Sequence, residues 1–216
     1  MKAWKTIAGR SMIVVFTFCS VILILCSLAL LMLPLASYTF SRPLPETEQE
    51  LRLSLVETAR KQLSAAEGTT AHRQIIDRYN AHEPLAQGYA VTYTDDWCAT
   101  FVSFCAIEAD LTQIIPTECG CERQTLLFLD LGRWQEKDTH LPLPGDIIYY
   151  NWDVRTLGDS TGWSDHVGIV EGTWGPFIKV IEGNKDDAVG YRYICRWDPR
   201  IRGYGLPDYE KIQPVE

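Results

Sequence analysis

The chain has 216 residues and a formal net charge of −8. Residues 42–216 hold all 28 acidic side chains but 17 of the 20 basic ones, a net charge of −11, which excludes binding to nucleic acid or other anionic polymers by charge alone. Recognition must therefore come from a shaped site, and this stretch is one domain's worth of chain, long enough to bury a core.

From Ser11 to Ser41 there is no charged residue, and Met12 to Leu35 is densely apolar. As a helix those 24 residues would span about 36 Å, enough to cross a bilayer of about 30 Å. Lys2, Lys5 and Arg10 precede the segment, whereas Arg42 is soon followed by Glu46, Glu48 and Glu50. The positive-inside rule then predicts a single-pass cell-membrane protein with residues 1–11 in the cytoplasm, 12–36 as signal anchor and the remainder extracellular. A cleaved signal peptide fits less well, since its apolar core is normally ~7–15 residues and "PLAS" is a poor cleavage site.

Residues 37–87 are expected to form a Pro-containing linker and two helices. "ETEQELRLSLVETARKQLSAAEG" carries Leu51, Leu55, Ala59 and Leu63 on one stripe and stops at Gly68, and "TAHRQIIDRYNAHEPLAQGY" begins as a shorter helix. "YTDDW" offers N-caps for a third helix running to about Asp110, "IIPTECGCER" is a loop, and "RQTLLFLDLGRW" is a fourth helix. After the turn "LPLPG" come strands at 146–152, 165–172, 177–184 and 189–197, and then a short tail at 210–216. Helices followed by antiparallel strands predict an α+β domain.

Cys98, at the start of the third helix, is the first candidate for chemistry. It shares an i, i+3, i+4, i+7, i+11 face with Phe101, Val102, Cys105 and Ala109, which by spacing alone reads as a small buried hydrophobe. Its place in a first helical turn equally suits a thiolate, because unpaired N–H groups and the helix dipole stabilise negative charge there. A disulfide to Cys105 is excluded if both lie on the helix: seven residues rise about 10.5 Å, beyond the ~7 Å Cα limit.

A nucleophilic cysteine needs a base. His72, His82 and His140 fall in polar segments and are expected at the surface, whereas His166 opens a strand, "DHVGIV". If "GTWGP" (172–176) is a hairpin loop, Glu171 pairs with Phe177 and His166 lies opposite Glu182, with Asn184 one diagonal step away. Directly opposed side chains have Cβ atoms about 4.5–5.5 Å apart, so a carboxylate or carboxamide is expected beside the imidazole. A half-exposed cross-strand pair without catalytic meaning satisfies the same spacing.

"DDWCATFVSFC", "PLPGDIIYYNW", "DHVGIVEG" and "VIEGN", in this order and spacing, resemble the CHAP family (cysteine, histidine-dependent amidohydrolase/peptidase), a papain-like group of bacterial cell-wall hydrolases. The resemblance spans about residues 88–209. It implies a papain-like α+β fold whose N-terminal helices carry the nucleophile and pack on an antiparallel sheet. It further implies Cys98 as nucleophile, His166 as general base, and Glu182 or Asn184 as the residue orienting it, with the other close to the oxyanion. The implied activity is hydrolysis of peptidoglycan amide bonds through a thioester; some members of the family bind calcium through acidic loops, but no cofactor or metal is expected for this sequence. Trp97, Trp152, Trp163 and Asp165 are candidates for substrate contact, each tryptophan being an equal candidate for packing. The alternatives are a non-hydrolytic wall-binding or scaffold module and a papain-like peptidase or transferase acting on a protein.

Two acidic or thiol-rich stretches remain. Zinc at Cys119 and Cys121 would need two further ligands, for which only His140 and Cys195 are candidates, and "NKDDAV" (184–189) lacks a recognisable calcium loop. A local thiol or disulfide role for the CGC pair stays open.

Overall fold

The computed structural model describes residues 44–136, 140–153 and 162–212, and the expected anchor at 12–36 lies outside them. Among the described residues no helix is long and apolar enough to cross a membrane.

Helix α1 (Glu46–Arg60) starts behind Pro45 with Glu46 and Glu48 in its first turn and Arg60 in its last, complementing the helix dipole at both ends. It ends earlier than Gly68 because the chain peels away to cover a sheet edge. Ser64 N–H donates to Val189 O (3.0 Å), Val189 N–H donates to Ala65 O (2.9 Å), and Ala66 bridges Ala188. Such cover removes an open strand edge. Helix α2 (Thr70–Asn80) is capped by Thr69, whose side chain accepts the His72 N–H, and buries His72, Ile75, Ile76 and Tyr79. Helix α3 (Cys98–Glu108) is buried from Cys98 through Ile107, not on one face only, because α1 and α2 pack against it on one side and strands on the other. Helix α4 (Cys121–Asp130) follows a short loop.

Six strands form one antiparallel sheet: β1 (Trp134–Glu136), β2 (Ile147–Tyr150), β3 (His166–Trp174), β4 (Phe177–Lys185), β5 (Ala188–Cys195) and β6 (Ile201–Gly205), in the order β1-β6-β2-β3-β4-β5. The α+β expectation holds, while β1 and β6 are additions to it. In β6 the glycines are demanded by aromatic rings: a Cβ at Gly203 would sit 2.4 Å from the Trp134 ring, and one at Gly205 2.5 Å from Phe128.

One face of the sheet (Ile147, Tyr149, Val167, Ile169, Ile181) joins the helices in a single core that runs from Leu55 to Tyr209. The opposite face carries a smaller cluster of Ile148, Tyr150, Val170, Ile178, Val180, Ile194, Ile201 and Tyr204. The first helix is thus part of this core, pinned by Arg52, which reaches Glu48 (2.8 Å), Asp146 (2.9 Å) and Pro144 O (3.0 Å).

The β3–β4 hairpin is tighter than the five-residue loop expected. Its strands continue to Trp174 opposite Phe177, leaving Gly175 (φ +55°) and Pro176 as the turn. A bulge at Glu171 then shifts the register, giving Val170 opposite Val180 and Ile169 opposite Ile181. Continued towards the strand start, this register sets Gly168, not His166, beside Glu182.

Candidate active site

The segment before α3 fixes where Cys98 points. Asp95 does not cap the helix: its carboxylate accepts the Thr92 N–H (2.7 Å) and the Tyr89 hydroxyl (2.8 Å) and so closes its own turn. Asp96 accepts from Asn184 Nδ2 (3.0 Å), tying the end of β4 to this loop. The N-cap is Trp97, with no side-chain capping bond. Its ring is wholly buried against His72 (centroids 4.8 Å apart) and Phe101, so Trp97 belongs to the core and not to a substrate groove. Cys98 therefore occupies the first position of a helix without a side-chain cap, where the leading N–H groups favour an anion.

His166 stands at the first position of β3, opposite Tyr150 of β2 and stacked on its ring (5.8 Å, 27°). Its Nε2 lies 3.0 Å from Glu182 Oε2. The two residues are diagonal and not directly opposed, and the contact exists because Gly168 lies between them. A Cβ there would come 2.7 Å from Glu182 Cγ, so the missing side chain is the space through which Glu182 leans. The fully buried carboxylate is held from behind by Arg192 Nε, which donates to Oε1 (2.7 Å) and Oε2 (2.8 Å). The Arg192 guanidinium lies over Trp152 (4.6 Å), which stacks on Tyr150 (4.9 Å). Imidazole, carboxylate and guanidinium are thus locked in sequence by one aromatic wall.

A second thiol meets the first. Cys121 opens α4, and its Sγ lies 3.3 Å from Cys98 Sγ. Cys98 is pushed down to about 5, by the Cys121 hydrogen bond first and then, against desolvation, by hydrogen bonding and charge from His166 and by the Ala99 N–H. Burial pulls His166 down, but hydrogen bonds and charges of Cys98 and Glu182 overcome it and raise it to about 9. Glu182 is held low despite burial by His166 and Arg192, and Cys121 is forced well up, chiefly by the adjacent Cys98. The electrostatics therefore favour thiolate on Cys98, imidazolium on His166, carboxylate on Glu182 and thiol on Cys121 near neutrality. A thiolate beside an imidazolium at a helix start can attack a carbonyl and return a proton to a leaving amine.

Asn184 sits at φ +54° at the end of β4, bonded to Asp96 and not to His166. Asp165 is exposed and accepts the Trp152 N–H (2.8 Å), Trp152 is half-buried, and Trp163 is 70 % exposed. His72 is a correction to the surface expectation: it is fully buried, its Nδ1 accepts the Gly68 N–H (3.2 Å), and burial lowers its pKa. The reason is that position 72 shares the core face of α2 with Ile75, Ile76 and Tyr79, where its ring packs on the inward-turned Trp97. His140 is also tied down, 2.6 Å from Asp146 Oδ2, and His82 is half-buried. Cys119 points elsewhere, towards Glu118 and Gln87, and among the described residues no group of three or more His, Cys, Asp or Glu is arranged to hold a metal ion.

Sequence reasoning missed Arg192 and the Cys98–Cys121 contact. Arg192 had a signal, since it lies two residues from the neighbour of Glu182 on β5, on the same face. Cys121 had a weaker one: like Cys98, it follows a loop and opens an apolar helix.

No curated protein and no solved structure matches the chain. Residues 88–184 match the family model described as the CHAP domain. The matched stretch contains Cys98, His166, Glu182 and Asn184.

Proposed function

We propose that this protein is a membrane-anchored, outward-facing cysteine amidase or peptidase that hydrolyses amide bonds of peptidoglycan. A single observation carries the reading: Arg192, the buried Glu182 and His166 form a hydrogen-bonded chain that ends beside Cys98, at a helix start with no side-chain cap. The fold is read as papain-like, with α3 presenting the nucleophile to the sheet.

The Cys98 thiolate attacks the amide carbon, and the N–H groups at the start of α3 stabilise the oxyanion. His166, as imidazolium, protonates the leaving amine and then, as neutral imidazole, draws a proton from the water that hydrolyses the thioester. Glu182 orients the ring and stabilises its charge, while Arg192 fixes Glu182. Asn184 acts on the loop before Cys98 through Asp96 and so helps set the oxyanion region. Trp152, Trp163 and Asp165, near the start of β3, are the substrate-contact candidates that remain.

The rival is a wall-binding module without chemistry. Against it stands the cost of burying the Glu182 carboxylate, which binding alone does not require. The test is to incubate the protein with purified peptidoglycan and identify new ends by mass spectrometry. New N-terminal L-alanine ends indicate an amidase and ends within the peptide an endopeptidase; binding without new ends would mean a binding module.

A further inference from the structure

The Cys98–Cys121 contact is not needed to orient His166, yet a hydrogen-bond network holds the segment that carries Cys121 in place. Ser103 of α3 donates to Glu118 O (2.6 Å) and accepts the Glu118 N–H (2.8 Å). Glu118 Oε1 in turn accepts the N–H groups of Cys119 (2.8 Å) and Gly120 (3.3 Å) and the Gln87 amide (2.8 Å). Gln124, fully buried one turn into α4, donates to Pro116 O (2.7 Å) and accepts the Tyr149 hydroxyl (2.9 Å). Ser103 and Tyr149 therefore tie the segment around the start of α4 to α3 and β2, and two helix N-termini converge on one pair of sulfurs.

We propose that Cys98 and Cys121 form a reversible dithiol–disulfide site whose oxidant is a small hydroperoxide, with Cys121 resolving an oxidised Cys98. This rests on the reading of Cys98 as the reactive thiolate. The Cys98 sulfur attacks one peroxide oxygen; the S–O bond forms, the O–O bond breaks, and the leaving alkoxide or hydroxide takes a proton from the His166 imidazolium. Cys98 is now a sulfenic acid, oxidised by two electrons, and the peroxide is reduced to an alcohol or water. The Cys121 sulfur then attacks Cys98 sulfur, the S–S bond forms, the S–O bond breaks, and hydroxide leaves with the Cys121 proton as water.

The geometry favours each step. The sulfurs lie 3.3 Å apart, about 1.3 Å more than the S–S bond they would form, so a modest rotation closes the gap. Cys121 stays protonated chiefly because Cys98 beside it is negative; once Cys98 becomes a neutral sulfenic acid, that opposition ends and Cys121 becomes the stronger nucleophile. Of the other three described cysteines, Cys105 lies two helical turns further along α3, Cys119 faces Glu118, and Cys195 ends β5 opposite Phe177. An external dithiol restores both thiols and leaves as its own disulfide. The disulfide removes the nucleophile reversibly and protects it from irreversible oxidation.

The test uses the full chain in detergent, treated with hydrogen peroxide, acid-quenched, alkylated and digested. A Cys98–Cys121 linked peptide, lighter by two hydrogens and abolished by dithiothreitol, is expected, and Cys119→Ser should leave it unchanged. In Cys121→Ser and Cys121→Ala the linked peptide disappears, and Cys98 proceeds to sulfinic acid with about ten-fold less activity recoverable by dithiothreitol. Should either variant misfold, mapping of the wild-type linkage alone decides. No linked peptide, a link to Cys119, or equal over-oxidation of Cys98 with and without Cys121 would overturn the proposal. A linked peptide in a protein that never cleaves peptidoglycan would keep this site and refute the hydrolase reading; cleavage without the linkage would do the reverse.

Discussion

Glu182→Gln isolates the charge that supports His166, since it removes the negative charge and keeps the shape. In the folded protein Nε2 of His166 lies 3.0 Å from a carboxylate that is wholly desolvated. A hydrogen bond to a charged group is worth about 1.5–3 kcal/mol, and one pKa unit corresponds to about 1.4 kcal/mol, so His166 should fall by roughly one to two units. The pH profile of kcat/KM is expected to be bell-shaped. Its acid limb, near 5, reports formation of the Cys98 thiolate, and its alkaline limb, near 9, reports loss of the imidazolium proton. In Glu182→Gln the alkaline limb should move down to about 7–8, with kcat/KM at neutral pH reduced roughly 10–100-fold, read by release of soluble fragments from labelled peptidoglycan across pH 4–10. Refutation would be an alkaline limb unmoved in Glu182→Gln but lowered in Asn184→Ala, which would make Asn184 the orienting group.

Three further perturbations probe separate links. Thiol alkylation at pH 6 should modify Cys98 at least about ten-fold faster than Cys105, whose thiol burial pushes well up; equal rates would exclude a Cys98 thiolate. Gly168→Ala introduces a Cβ 2.6 Å from Val180 and 2.7 Å from Glu182 Cγ, so it should cost about 1–3 kcal/mol in denaturant unfolding and lower the alkaline limb as Glu182→Gln does. Arg52→Met leaves the buried Glu48 and Asp146 carboxylates without their shared cation. It should cost about 3–5 kcal/mol of stability while leaving kcat/KM per folded molecule unchanged, measured by thermal melting beside the activity assay.

How much of this was legible in the sequence depended on parity and distance. The hairpin register was misjudged by two residues, with paired numbers summing to 348 where the inner strand pairs sum to 350. Both sums are even, so Glu182 stayed on the His166 face, and the pairing of imidazole with carboxylate survived the error. Near the turn the sum is odd, 351, and only the bulge at Glu171 restores parity, a feature that period-2 reasoning cannot supply. His72 was misread although 72, 75, 76 and 79 follow helical core spacing; polarity of the residue outweighed its position. Strands β1 and β6 were hidden by brevity and by glycines that exist for ring contact. The meeting of Cys98 and Cys121 joins two helix starts 23 residues apart, and no local pattern encodes such a contact.

The central claim, covalent catalysis by Cys98, is tested most directly by acid-quenching the protein during turnover of peptidoglycan fragments and mapping the adduct by mass spectrometry. A hydroxylamine-labile acyl group on Cys98, absent together with all cleavage in Cys98→Ala, is the predicted result. Cleavage that persists in Cys98→Ala, with no acyl group on Cys98 in the wild type, would contradict it.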